Sequence, residues 1–219
     1  MLKNIVSIFL QESCPLCERA TSEEICNYCQ KQLKSCQFKK PHKFWQGDLP
    51  VFVWGTYDGK LKQAIAALKY DKHPKIGELL GVWLADTWLN YALIHPKLSP
   101  LMIPIPLHKT KEKIRGFNQS EVIARGFCQV TKYPLNTNGL IRVRQTKAMF
   151  GLTVKEKEEN IKEAFQLGKS LQHTTLSRPV LLMDDIYTTG TTIKEATRIL
   201  QNQGIKVLGV VAVCTPRHL

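Results

Sequence analysis

Thirteen consecutive residues, Val180-Leu181-Leu182-Met183-Asp184-Asp185-Ile186-Tyr187-Thr188-Thr189-Gly190-Thr191-Thr192, combine two kinds of binding chemistry. Asp184 and Asp185 close an apolar run, and carboxylates there can accept hydrogen bonds from hydroxyls or hold a hard cation. Thr188, Thr189, Gly190, Thr191 and Thr192 offer hydroxyls and exposed amides, with a glycine that lets the backbone approach an anion closely. Carboxylates repel phosphate, so a single ligand for both halves must carry phosphate and hydroxyl groups together. A phosphorylated sugar does. A plain Mg²⁺ site and a simple helix cap are the other readings of the same aspartates. The Gly-x-x-x-x-Gly-Lys-[Ser/Thr] pattern is absent, and no Gly-x-Gly-x-x-Gly follows a strand.

The second chemical cluster lies near the N-terminus. Cys14 and Cys17 form one C-x-x-C pair, Cys26 and Cys29 another, with eight residues between the pairs. Two such knuckles complete a tetrahedral S₄ site, so a structural zinc is expected at these four thiols. Disulfides and a redox C-x-x-C are the alternatives, and neither accounts as simply for two matched pairs. Cys36 falls outside the pattern as a spare thiol. Cys128 and Cys214 stand in apolar surroundings and read as small buried hydrophobes.

The elements that must position these groups follow from periodicity. Val180 to Met183 is a continuous apolar run, as expected of a strand covered on both faces. A helical pattern then carries Ile193, Ala196, Ile199 and Leu200, Gly204 closes it, and Ile205 to Val213 reads as another buried strand. Strand, helix and strand make a βαβ unit, hence an α/β fold with a parallel twisted sheet flanked by helices. Upstream, the spacing predicts a strand over 51–54, helices over 61–68, 76–91 and 118–130, a strand from Met102 into a proline-bearing loop, and a short strand over 140–143. Residues 144–160 read as a polar loop leading into a short helix. The domain division is 1–46, a Cys₄ module with a basic tail, and 47–219, the sheet domain.

The chain has 219 residues and a formal charge of +13, a balance that favours polyanionic partners. Lys31, Lys34, Lys39, Lys40 and Lys43 fall within thirteen residues that contain no acid. That tract is the candidate nucleic-acid contact, with a solvated face as the plain alternative. The apolar run Ile5 to Leu10, broken by Ser7, is too short to span a membrane and precedes no small-residue cleavage site. A short helix packed on the body of a cytoplasmic protein is expected instead.

The aspartate–threonine string resembles the phosphoribosyl-pyrophosphate signature of type I phosphoribosyltransferases: four apolar residues, two acids, two variable positions, Thr-Thr-Gly and a hydroxyl residue. Further segments extend the likeness. The paired knuckles, Tyr57-Asp58-Gly59, Leu68-Lys69-Tyr70, Pro104-Ile105-Pro106, Arg115-Gly116-Phe117-Asn118-Gln119-Ser120 and Thr146-Lys147-Ala148 occur in the order seen in ComF proteins. Those are competence-associated and phosphoribosyltransferase-like. Met149 replaces a glutamine usual in that family, and Lys157 stands where an arginine is common.

The resemblance implies the type I phosphoribosyltransferase fold and a site for phosphoribosyl pyrophosphate with Mg²⁺. Asp184 and Asp185 would hold the ribose diol at the surface of a cleft, and residues 188–192 the 5′-phosphate. Residues 106–111 would form a pyrophosphate loop with Lys109 as its basic contact; Arg115 and Asn118 would either support it or hold the helix that follows. Residues 144–150, with Arg144 and Lys147, would form a closing hood, with an exposed solubilising loop as the plain alternative. It also implies single-stranded DNA handling during DNA uptake, with other uptake proteins as partners; a transferase acting on a nucleobase or amine, unrelated to DNA, is the alternative. No base-recognition string or glutaminase segment is found.

Overall fold

The computed structural model describes residues 12–91, 93–95, 97–146, 153–172 and 176–216. The helix expected over residues 5–10 lies outside them, as do Lys147, Ala148 and Met149.

Four parallel strands form the main sheet in the order β1-β6-β5-β2: β1 Val51–Thr56, β2 Leu101–Pro104, β5 Val180–Ile186 and β6 Val207–Thr215. All point the same way, so their carboxyl ends share one edge. Alternation along the strands splits the interior into two cores. Phe52, Trp54, Leu181, Met183, Val211 and Val213 face one side, and Val51, Val53, Val180, Leu182 and Val210 the other. Burial on both faces explains the unbroken apolar runs.

The first core is covered by helices α1 Asn27–Lys34, α2 Gly59–Tyr70, α3 Pro74–Tyr91 and α5 Gln119–Thr131. Helices α3 and α5 pack with their backbones in near contact. A Cβ at Gly81 would strike the carbonyl of Ile123, and one at Gly126 the carbonyl of Glu78. The second core takes Ile161 of α6 Val154–Ile161 and Ile193, Ala196 and Leu200 of α7 Thr191–Gln201. A small antiparallel pair, β3 Leu140–Arg142 with β4 Phe165–Leu167, sits beside it.

Two elements depart from the sequence reading. A short helix, α4 Lys109–Arg115, takes over residues expected to end a loop, and its C-cap Gly116 turns the chain with φ +91°. Residues 36–45 lie antiparallel along the outer edge of β1: Phe38 N–H donates to Trp54 O (2.9 Å), Val53 N–H to Pro41 O (3.2 Å) and Val51 N–H to Phe44 O (2.9 Å). This strip covers the exposed edge of the sheet. The basic tail, assigned to the N-terminal module in a division at 46, therefore rests on the sheet domain. Cys14, Ile25, Cys26, Cys29 and Leu33 likewise share the first core with Phe52 and Trp54.

Candidate functional site

Helix and strand ends converge where β5 finishes. Asp185 has a side chain only 6% exposed and is ion-paired with Lys69 from the last turn of α2. Gln119 Nε2 donates to its other oxygen at 3.3 Å. Burial opposes ionisation of Asp185, but the Lys69 ammonium and these hydrogen bonds outweigh it and hold its carboxyl below the usual range. The sequence reading placed both carboxylates at a cleft surface; for Asp185 the structure differs, because a lysine buried in the same wall needs a counter-charge.

Asp184 is partly exposed. Its Oδ1 accepts from Ser120 Oγ at 3.1 Å and from the Asp185 N–H at 2.9 Å. Desolvation, followed by the neighbouring Asp185 charge, pushes its pKa up to about 7. A carboxylate so placed gains from an added cation or hydroxyl donor, and fits one Mg²⁺ shared with ligand phosphates, which such ions bind with few protein carboxylates.

The segment 115–120 frames both aspartates. Asn118 caps α5, its Oδ1 accepting from Ser120 N–H (3.1 Å), while its Nδ2 donates to Ile105 O (3.0 Å). That ties the loop after β2 to the helix that presents Gln119 and Ser120. Arg115 donates to Gln119 Oε1, and its guanidinium lies 5.8 Å from the ring centre of Tyr70. Arg115, Gln119, Asp185 and Lys69 thus form one connected row ending beside Tyr70.

On the far side of β5's end, Thr188 and Thr189 are exposed and Gly190 turns into α7 with φ +73°. A Cβ at Gly190 would collide with the Tyr187 hydroxyl. Thr189 Oγ1 and Thr191 Oγ1 lie 2.8 Å apart, and no side chain caps α7. The first-turn amides of α7 are left for an anion. Thr191 is buried and Thr192 partly so.

A group of cations forms where β3 ends. Arg142 ends β3, whose backbone bridges to His108, just before α4. Its guanidinium donates to Thr146 Oγ1, and Lys111 Nζ donates to Thr146 O at 3.0 Å. Burial lowers the pKa of Lys111, and the charges of Arg142 and Arg115 lower it further. Burial also lowers that of Arg142, against the pull of Asp184. Lys111 thus feels the charges of both Arg142 and Arg115, and Arg142 that of Asp184. The buried Arg142 Nε has no hydrogen-bond partner among the described residues.

Arg144, chosen from the sequence, is exposed and donates to Lys162 O at 3.2 Å, and Lys109 is exposed on the first turn of α4. Lys69, Ser120 and Arg142 carry no role in the sequence reading, whereas Lys111 falls within its pyrophosphate loop, 106–111. Lys69 and Ser120 lay in quoted segments without a role, and Arg142 is two residues from Arg144.

At the N-terminus the four thiols of Cys14, Cys17, Cys26 and Cys29 lie within 4.8 Å of one another. A tetrahedral zinc with bonds of about 2.3 Å needs sulfur separations of about 3.8 Å, so the set can hold that ion. Cys26 is the N-cap of α1, and the nearby Cys29 backbone N–H, ahead of the other thiols, lowers its pKa to about 7. Cys36 points instead at Gln32 O, 3.5 Å away. Lys31, Lys34, Lys39, Lys40 and Lys43 are all exposed. Among the described residues no helix is long and apolar enough to cross a membrane.

Residues 135–219 match the phosphoribosyl transferase domain family. Over most of its length the chain is also similar to curated proteins. It is 26% identical to competence protein F of Haemophilus influenzae, across 85% of this chain and 88% of that protein. Competence protein ComFC of Bacillus subtilis is 23% identical, across 87% and 72% respectively. The DNA utilization protein YhgH of Escherichia coli K12 is 25% identical, across 92% and 89%.

Proposed function

Because the chain is a homologue of the competence protein F, ComFC and YhgH proteins and carries a phosphoribosyl transferase domain, we propose that it binds phosphoribosyl pyrophosphate with Mg²⁺ and acts in handling single-stranded DNA during its uptake. The observation that carries the ligand reading is Asp184, partly exposed at the end of β5, followed within a few residues by the uncapped start of α7 and with its charge felt by Arg142. A ribose diol reaches Asp184 while its 5′-phosphate occupies residues 188–192 and its pyrophosphate meets the cations. Asp185, held by Lys69, positions Asp184 rather than touching the sugar.

Bond breaking at C1 would build negative charge on departing pyrophosphate and positive charge on the ribose ring. Arg142 and Lys111 stand where they can meet the first, and Asp184 can offset the second. Bound Mg²⁺ would add charge neutralisation at the leaving oxygens. The transferase reading rests on this cation cluster; release of pyrophosphate in the presence of a nucleobase or amine tests it.

Calorimetry with phosphoribosyl pyrophosphate and Mg²⁺ tests ligand binding. Saturable binding that Asp184→Asn removes, with the fold retained, is expected; equal affinity in the variant overturns the assignment. The DNA role draws on the named relatives and the exposed lysines 31–43. Lys39→Ala with Lys40→Ala should weaken oligonucleotide binding and flatten its salt dependence, each lost phosphate contact removing about 0.9 from the slope on duplex DNA and about 0.7 on single strands. A zinc held by the four thiols suits a reducing compartment, the cytoplasm.

A further inference from the structure

A cavity of about 390 Å³ opens beside the sheet, lined by Phe38, Lys39, Lys40, Lys43, Phe44 and the end of β6 at Thr215 and Pro216. Its size falls within the range of small-molecule pockets, about 300–1,000 Å³. Its chemistry is two-sided. Phe38 and Phe44 are held half-buried because residues 36–45 are hydrogen-bonded along β1. The lysines between them point to solvent, and Lys43 Nζ lies 5.2 Å from the Phe44 ring centre. Among the described residues no acid lines the cavity, and Lys39, Lys40 and Lys43 make no ion pair.

An aromatic-walled slot under uncompensated cations suits a ligand with a planar apolar face and a nearby anionic linkage. We infer that this cavity is a base-binding slot for single-stranded nucleic acid, taking an unstacked base between Phe38 and Phe44 while adjacent phosphates lie on Lys39, Lys40 and Lys43. The inference rests on the DNA-handling reading and gives it a site. A duplex keeps its bases stacked inward and has none to offer, whereas a single strand does. One end of the slot, at Thr215 and Pro216, reaches the carboxyl edge of the sheet: Thr215 pairs with Thr56, and Cys214 with Ile186, just after Asp184 and Asp185. A strand held there runs close to the proposed sugar-phosphate site.

The test measures binding of the full chain to an oligothymidylate and to an abasic strand of equal length and charge. Wild type should bind the oligothymidylate roughly tenfold more tightly, as expected for base stacking on an aromatic wall. Phe38→Leu with Phe44→Leu, which keeps apolar volume, should remove that preference and leave the salt slope unchanged. Lys39→Ala with Lys40→Ala should instead keep the preference and flatten the slope. Equal binding of both strands by wild type, a preference that survives the phenylalanine replacements, or displacement of the strand by anionic phospholipid vesicles as readily as by oligothymidylate overturns the slot. Failure of the chain to bind any single strand overturns the DNA-handling reading itself.

Discussion

Lys69 and Asp185 form a buried ion pair, with side chains 17% and 6% exposed, and it makes the two neighbouring aspartates unlike each other. Removing one partner strands the other's charge in the wall of the sheet. Lys69→Met should therefore cost about 3–5 kcal/mol of stability in denaturant unfolding, the range for a broken buried pair. Asp185→Asn should cost a comparable amount, whereas Asp184→Asn should be nearly neutral because it also relieves a like-charge contact. A stable Lys69→Met protein would show that the pair carries little of the fold.

Asp184 titrates at about 7 in the folded chain, against an ordinary value of 3.8. The folded state thus holds a proton that the unfolded state has already lost, and stability should fall as pH rises from about 4 to 7. Ligand affinity should move the other way, rising through pH 7 as the carboxylate forms. Binding calorimetry on the wild type at pH 6 and 8 checks the affinity, and denaturant unfolding from pH 4 to 7 checks the stability against Asp184→Asn, which should lose the part of that stability profile that Asp184 supplies. An unchanged profile in that variant would locate the titrating group elsewhere.

The strands and long helices were legible in the sequence because they are covered on defined faces. Val180 to Met183 could only be a doubly buried strand, and the Ile193–Leu200 pattern only a helix packed on it. The division of labour between Asp184 and Asp185 was not legible. It depends on Lys69, which comes from a helix more than a hundred positions earlier and has no local signature. The edge strip 36–45 was likewise hidden, since its lysines and glutamine read as a solvated tail, while its backbone pairs with β1 and Phe38, Phe44 and Trp45 pack against the cores.

The four thiols share a core with Ile25, Leu33, Phe52 and Trp54, so metal loss should be felt beyond the knuckles. Freshly purified protein should contain about one zinc per chain, the content of a closed Cys₄ site. A chelator, or Cys29→Ser, should lower the melting temperature of the whole chain in a scan, because an empty site loses the staple that holds residues 14–17 to the start of α1. Cys36→Ser should leave both zinc content and melting unchanged. Less than half an equivalent of metal would count against the site.

Arg142 and Arg144 provide the sharpest comparison, because they differ by two positions and by everything around them. Arg142 is anchored at the end of β3, bridged to the segment before α4, bonded to Thr146, and close enough to Asp184 to feel its charge. Arg144 turns away to the carbonyl of Lys162. A pyrophosphate beside Asp184 would give the unpartnered Arg142 Nε an acceptor and offset its crowding with Lys111. Arg142→Ala should therefore weaken phosphoribosyl pyrophosphate binding roughly 10- to 100-fold, as loss of a charge-assisted hydrogen bond does. Arg144→Ala should change it less than about threefold, the scale of a lost exposed contact. Ribose 5-phosphate, which has no pyrophosphate, should bind wild type and Arg142→Ala alike. If its affinity falls in step with that of the full ligand, Arg142 is holding the loop in shape and makes no contact with the leaving group.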